Sequence, residues 1–82
     1  MKAYEMTLNE LDEAGEFHEV AHANVGLAEV LAVVRNDVPD AAVYSVHAGS
    51  TIYLRFENDT AIVDVWARTD AGHDKLRRAV GL

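Results

Sequence analysis

The residue pattern with the most specific chemistry is His18-Glu19-Val20-Ala21-His22. On a helix, two histidines at this spacing lie one turn apart and can bind one zinc ion, while the glutamate acts as a general base. That chemistry requires a helix at residues 16–23, a third metal ligand and a cleft around the metal. The secondary structure of this segment therefore decides whether the pattern can function.

These five residues resemble the zinc-binding motif of the zincin metalloproteases, and the resemblance extends to no other part of the chain. A metzincin has glycine three residues after the second histidine, where this chain has Val25, and its third histidine is missing. On a strand, His18 and His22 would lie about 13 Å apart at roughly 3.3 Å per residue, too far to share one metal. We expect no catalytic site, no metal and no cofactor, and keep a minimal zinc hydrolase as a further alternative.

A second group of residues comes from the strands predicted in the second half of the chain. If Leu54, Phe56, Val63 and their neighbours face the core, alternation places another set on the opposite face: Tyr53, Arg55, Ile62, Asp64, Trp66 and Arg68. Aromatic side chains among arginines can stack on nucleobases or anchor a protein partner. We predict that Tyr53 and Trp66 contact a protein. The alternative is that the C-terminal helix covers Trp66.

The negative charge is concentrated in the first half of the chain. The net charge is −7, and residues 1–40 contain nine acids against Lys2 and Arg35, whereas residues 41–82 contain five of each sign. Such a surface repels nucleic acid and attracts basic proteins. We predict partner binding by five carboxylates: Glu10, Asp12, Glu13, Glu16 and Glu19. The alternative is an acidic face that only maintains solubility, as in adaptation to salt.

Length and composition indicate one small domain over residues 1–82. The absence of cysteine excludes disulfides and thiolate metal sites, and no segment approaches the about 20 apolar residues of a membrane span. The first residues also lack the apolar run of a signal peptide. We therefore expect a soluble, cytoplasmic protein with no membrane partner.

The first half of the chain permits two interpretations. Tyr4, Met6 and Leu8 alternate with polar residues, which predicts a strand, and Asp12-Glu13-Ala14-Gly15 predicts a tight loop into a second strand over about 16–23. The competing interpretation is one long helix, because apolar residues from Phe17 to Val34 also recur at helical spacing. We favour the hairpin, since glycine costs a helix about 1 kcal/mol relative to alanine.

The rest of the chain gives one consistent prediction. A helix capped by Asn24 ends near Asp37, three strands follow over about 42–47, 51–57 and 61–68, and Asp70 caps a short last helix. The expected fold is α+β in the order ββαβββα. It has an antiparallel sheet of four to five strands, one main helix on one face and a short C-terminal helix.

These expectations favour a binding protein over an enzyme. The hypothesis is a small acidic protein that docks on a basic surface of a nucleic-acid-handling protein, without binding nucleic acid itself. Phage-encoded anti-CRISPR and DNA-mimic inhibitors, and immunity proteins against basic nucleases, are similar in size and charge. The alternative is a subunit that self-associates, as in a homodimer, through a sheet edge or the Trp66 face.

Overall fold

The computed structural model describes residues 2–82 and has five strands and two helices. In chain order they are β1 (Tyr4–Leu11), β2 (Phe17–Val25), α1 (Leu27–Asp37), β3 (Ala42–Ala48), β4 (Thr51–Glu57), β5 (Ala61–Ala67) and α2 (Asp70–Ala79). The strands form one antiparallel sheet in the order β2-β1-β5-β4-β3. The predicted α+β class and the order ββαβββα are confirmed.

The sheet combines the β1–β2 hairpin with the β3–β4–β5 meander. The two parts join where β1 pairs with β5, in a register that places Glu5 opposite Trp66 and Thr7 opposite Asp64. Helix α1 carries the chain from β2 at one edge of the sheet to β3 at the other. Strands β2 and β3 are therefore the two edges, and β1, β5 and β4 lie inside the sheet.

Both helices pack on the same face of the sheet. The buried core combines side chains that alternate along β1, β4 and β5 with Val30 of α1 and Leu76 of α2. The sheet contributes Tyr4, Met6, Leu54, Phe56, Val63 and Val65. The Tyr4 hydroxyl donates a hydrogen bond of 2.7 Å to the Gly72 carbonyl of α2, and burial raises the pKa of this hydroxyl. One face of the sheet is thus covered by helices, and the opposite face is not.

The N-terminal segment is a hairpin and not a long helix. Asp12 closes the turn, because its Oδ1 accepts hydrogen bonds of 2.9 Å from the amides of Ala14 and Glu16. Gly15 has a φ of 82°, a left-handed conformation that glycine adopts without steric cost. The pairing between β1 and β2 shifts after Leu8, so β2 carries a bulge at Val20.

The helix caps differ from those that the sequence predicts. Asn24 lies in β2, and α1 is preceded by Gly26. The Gly26 amide donates a hydrogen bond of 3.1 Å to the Glu29 carboxylate. Thr69, and not Asp70, caps α2 by accepting a 3.0 Å hydrogen bond from the Gly72 amide. Within residues 2–82, neither helix has the length and apolar character needed to cross a bilayer.

Candidate functional site

The five carboxylates predicted to bind a partner lie together at the far end of the β1–β2 hairpin. We call this group the acidic hairpin end: Glu10, Asp12, Glu13, Glu16 and Glu19. All are exposed except Asp12, which is half-buried. They cluster because the turn places the end of β1 beside the start of β2. They stay exposed because β2 is an edge strand whose residues from Phe17 to Asn24 are not covered by another element.

Asp12 has a structural role as well as a surface charge. The amide of Glu16 donates to its carboxylate, which is the main reason that the pKa of Asp12 is lowered. The His18 ring nitrogen Nε2 contacts the second carboxylate oxygen and lowers the pKa further. Of the five acidic residues, Asp12 is therefore the one that organises the turn carrying the others.

The His18-Glu19-x-x-His22 pattern does not form a zinc site. All five residues lie on β2, and the bulge at Val20 reverses the alternation between the two histidines. His18 pairs with Glu10 and His22 with Thr7, so they point to opposite faces of the sheet. His18 contacts Asp12, whereas His22 lies 2.6 Å from Glu5. His18 and His22 therefore cannot bind one metal ion in the way that the two histidines of a metalloprotease motif do.

A different set of potential ligands meets at the turn. Among residues 2–82, atoms of Asp12, Glu16 and His18 lie within 4.8 Å of one another. Asp12 is occupied by turn hydrogen bonds, and Glu16 and His18 are exposed. We assign no metal function to this group, because exposed acidic side chains commonly approach each other at a hairpin turn without binding an ion.

The face of the sheet opposite the helices forms a second surface, which we call the open sheet face. It carries the side chains of Glu5, Thr7, His22, Tyr44, Tyr53, Arg55, Ile62, Asp64 and Trp66. The rings of Tyr53 and Trp66 stack with centroids 4.7 Å apart and a tilt of 37°. Both predicted aromatic residues therefore lie on this face as one pair, and α2 does not cover Trp66.

Arg55 and Asp64 form the polar centre of the open sheet face. They are cross-strand neighbours, and the guanidinium donates from Nε to Oδ1 at 2.8 Å and from Nη2 to Oδ2 at 3.0 Å. The Asp64 side chain is only 8% exposed. The hydrogen bonds to Asp64 raise the pKa of Arg55, and its Cζ lies 5.7 Å from the Tyr53 ring centroid. Arg55 is thus already neutralised and offers little to a phosphate group.

Tyr44 belongs to the open sheet face, although the sequence pattern did not indicate a role for it. It is 41% exposed and pairs with Arg55 across β3 and β4. Its hydroxyl donates a hydrogen bond of 2.5 Å to the Glu57 carboxylate, and this hydrogen bond raises the pKa of Tyr44. Strand alternation in β3 was the only signal that could have placed Tyr44 beside Arg55.

A small cleft lies at the β2 side of the open sheet face. Its volume is about 230 Å³, and it is lined by Glu5, Thr7, His22 and Trp66. Glu5 and His22, 2.6 Å apart, form one wall, and their side chains are 43% and 47% exposed. The sequence could not predict this group, because it depends on the pairing of β1 with both β2 and β5.

Comparison of the chain with protein-family models, with curated proteins and with solved structures finds no match in any of the three. The acidic hairpin end and the open sheet face are therefore the basis for assigning a function.

Proposed function

We propose that the protein binds a basic surface of another protein through the acidic hairpin end and the open sheet face. The observation that carries this proposal is the one-sided packing of the fold. Both helices cover the same face of the sheet, while the opposite face presents an aromatic pair next to carboxylates. Aromatic residues supply affinity at protein interfaces, and charges around them accelerate encounter.

The class of partner follows from the charge distribution. The acidic hairpin end contributes five carboxylates, and Arg55 of the open sheet face is paired with Asp64. A direct role in nucleic-acid binding is disfavoured, because repulsion from phosphates has no compensating basic stripe. We propose a cytoplasmic, non-catalytic inhibitor of the anti-CRISPR, DNA-mimic or nuclease-immunity type, which occupies a surface that normally receives nucleic acid.

A second candidate function is self-assembly. Strand β2 is an edge whose nine residues are exposed except for Val25, and β3 is the other edge. An exposed edge offers unpaired amides and carbonyls to a strand of another chain. A homodimer or subunit that uses β2, β3 or the Trp66 face is favoured by this observation alone, whereas the inhibitor is favoured by both charge and aromatic placement.

Affinity capture from the native host tests the proposed function. One bait, the hairpin variant, has Glu10, Glu13, Glu16 and Glu19 changed to Gln and Asp12 changed to Asn. The Asn side chain retains the oxygen that accepts the turn hydrogen bonds. A matched control changes five exposed acids elsewhere to Asn: Asp37, Asp40, Asp59, Asp70 and Asp74. Both variants remove the same charge, so long-range attraction falls equally while only one alters the hairpin.

We expect wild type and control to capture a basic nucleic-acid-handling protein that is released by salt, and the hairpin variant to lose it. Equal capture by both variants would make the acidic hairpin end a solubility feature. Capture of nothing except further copies of the chain would favour self-assembly.

A further inference from the structure

The cleft beside Trp66 combines an aromatic side chain with an accessible carboxylate. Trp66 of β5 lies opposite Glu5 of β1 in the strand register, and Thr7 and His22 complete the lining. Ring faces attract cations, and a carboxylate accepts charge-assisted hydrogen bonds from a guanidinium or ammonium group. The chemistry of the cleft therefore favours a cation.

The size of the cleft restricts the cation to a single side chain. Its volume of about 230 Å³ is smaller than the roughly 300–1,000 Å³ of pockets that enclose drug-sized ligands. An amino-acid side chain that projects from a partner can fill such a space without a larger rearrangement.

The open sheet face already contains one guanidinium that contacts both an aromatic ring and a carboxylate. Arg55 lies over the Tyr53 ring and donates two hydrogen bonds to Asp64. The cleft places an equivalent pair on the next strands of the sheet, Trp66 on β5 and Glu5 on β1. The ring of Trp66 is supported by Tyr53, with which it stacks at 4.7 Å. A planar guanidinium fits this pair better than a lysine ammonium, because it can stack and bind a carboxylate with two donors at once.

Glu5 is accessible to such a group. Its contact in the structure is with His22 at 2.6 Å, and both side chains are nearly half exposed. An incoming guanidinium can therefore share or displace this contact without uncovering buried surface. The net charge of −7 also attracts a basic partner to the site.

We propose that the cleft receives one arginine side chain of the partner, with its guanidinium on the Trp66 ring and hydrogen-bonded to the Glu5 carboxylate. The inference rests on the proposed function, because it identifies the partner residue that the open sheet face recognises. It adds a position at which arginine is preferred to lysine.

A peptide titration tests this directly, because Trp66 is the single tryptophan of the chain. The probes are a tetra-arginine peptide, a tetra-lysine peptide and an uncharged tetra-citrulline peptide, followed by Trp66 fluorescence and by amide and indole NMR shifts. We expect a saturable response to the arginine peptide, centred on Glu5, Thr7, His22 and Trp66. Equal affinity for the lysine peptide, or shifts confined to the acidic hairpin end, would overturn the proposal.

Two variants distinguish binding of the peptide in the cleft from its general electrostatic attraction to the acidic protein. Glu5→Gln is expected to weaken binding of the arginine peptide at least about tenfold. This is the effect of losing one charge-assisted hydrogen bond. Glu13→Gln, with the same charge change at the turn, is expected to stay within about twofold. Equal losses in both variants would show general electrostatic attraction and would overturn the proposal.

His22→Ala provides a result that unfolding cannot imitate, because a gain in peptide affinity requires a folded cleft. Removing the imidazole that contacts Glu5 is expected to tighten binding of the arginine peptide about two- to fivefold, the size of effect typical of a contact between exposed side chains. Weaker binding by this variant would contradict the competition on which the site depends.

The captured partner then distinguishes the two proposals. A partner retained by Glu5→Gln but lost by the hairpin variant would overturn the arginine cleft and leave the proposed function intact. A partner lost by Glu5→Gln but retained by the hairpin variant would support the cleft and remove the acidic hairpin end from the interface.

Discussion

Arg55 and Asp64 are the residues on which the open sheet face depends. Asp64 is buried by the side chains around it, and its carboxylate accepts both guanidinium hydrogen bonds. The pair sets the position of Arg55 over Tyr53 and, through Tyr53, supports the ring of Trp66. A polar pair therefore organises a surface that is otherwise aromatic.

Replacing Asp64 by alanine is expected to destabilise the fold by about 1–3 kcal/mol, because it leaves the half-buried guanidinium of Arg55 without its acceptor. Urea unfolding followed by circular dichroism measures the change. Asp74→Ala, which removes an exposed carboxylate from α2, is the control and should stay within about 0.5 kcal/mol. Equal effects of the two substitutions would show that the Arg55–Asp64 pair contributes no net stability.

His73 is the buried polar side chain of α2. It is 7% exposed, and neither ring nitrogen has a hydrogen-bond partner among residues 2–82. Unpaired buried polar groups cost stability, and an apolar replacement of similar size removes that cost.

His73→Leu is expected to leave the free energy of unfolding unchanged or to raise it by up to about 2 kcal/mol. Leu76→Ala, which empties a fully buried position on the same helix, is expected to cost about 2–5 kcal/mol. Chemical denaturation of both variants gives the comparison. A loss of more than about 1 kcal/mol in His73→Leu would indicate that the imidazole makes a stabilising contact.

The hairpin turn and the start of α1 are both stabilised by carboxylates that accept backbone amides. The pKa of Asp12 is lowered chiefly by the amide of Glu16, and the pKa of Glu29 by the amide of Gly26 and by Lys2. In each case the pKa is lower in the folded state than in the unfolded chain. The stabilisation is therefore present above about pH 4, near the unfolded values, and is lost as the pH falls through the folded values.

We expect the melting temperature to decrease between about pH 4 and pH 2, and to decrease less in Asp12→Asn, whose amide oxygen can still accept the turn hydrogen bonds but cannot be protonated in this range. Thermal unfolding across this range measures both profiles. Glu13→Gln is the control, and its profile should follow wild type. An Asp12→Asn profile identical to that of wild type would contradict the role of this carboxylate.

The edge strand β2 has hydrogen-bond partners on one side only. β1 pairs with β2 and β5, so its amides are enclosed on both sides, whereas alternate amides of β2 point away from the sheet.

Amide hydrogen exchange is expected to be slow in β1 and β5 and fast at every second residue of β2. NMR-detected exchange at low protein concentration gives residue-level values. Continuous protection along β2 would show that the edge is paired with another chain and would favour the self-assembly alternative.

The molecule as a whole is electrically asymmetric. Carboxylates gather at the hairpin end of the first two strands, while three bases, Lys75, Arg77 and Arg78, lie late in α2. A basic partner of the kind proposed would be attracted by the hairpin carboxylates and repelled by the bases of α2.

We expect the proposed inhibitor to be a monomer, so light scattering after size exclusion should give the mass of one 9.0 kDa chain. The repulsion of acidic hairpin ends opposes edge pairing through β2. The control is the hairpin variant, in which this repulsion is removed. A stable dimer of wild type at low micromolar concentration would contradict the monomeric inhibitor and would favour self-assembly.

The order of elements followed from local signals in the sequence. Alternation of apolar and polar residues predicted the strands, and glycine and asparagine in short polar stretches predicted the turns, because both effects operate within a few residues. The helix caps were misplaced by one or two positions, since Asn24 joins β2 once β1 provides a partner for it. The acidic hairpin end could likewise be predicted, because its residues are close in sequence.

The cleft beside Trp66 and the Arg55–Asp64 centre required the tertiary structure. Glu5 and Trp66 are distant in sequence and become neighbours only through the β1–β5 register. The bulge at Val20 also sends His18 and His22 to opposite faces, which no residue pattern indicates. Local periodicity identifies a strand and the residues that share one of its sides. Strand register, bulges and the choice of which face the helices cover are decided by contacts across the whole sheet.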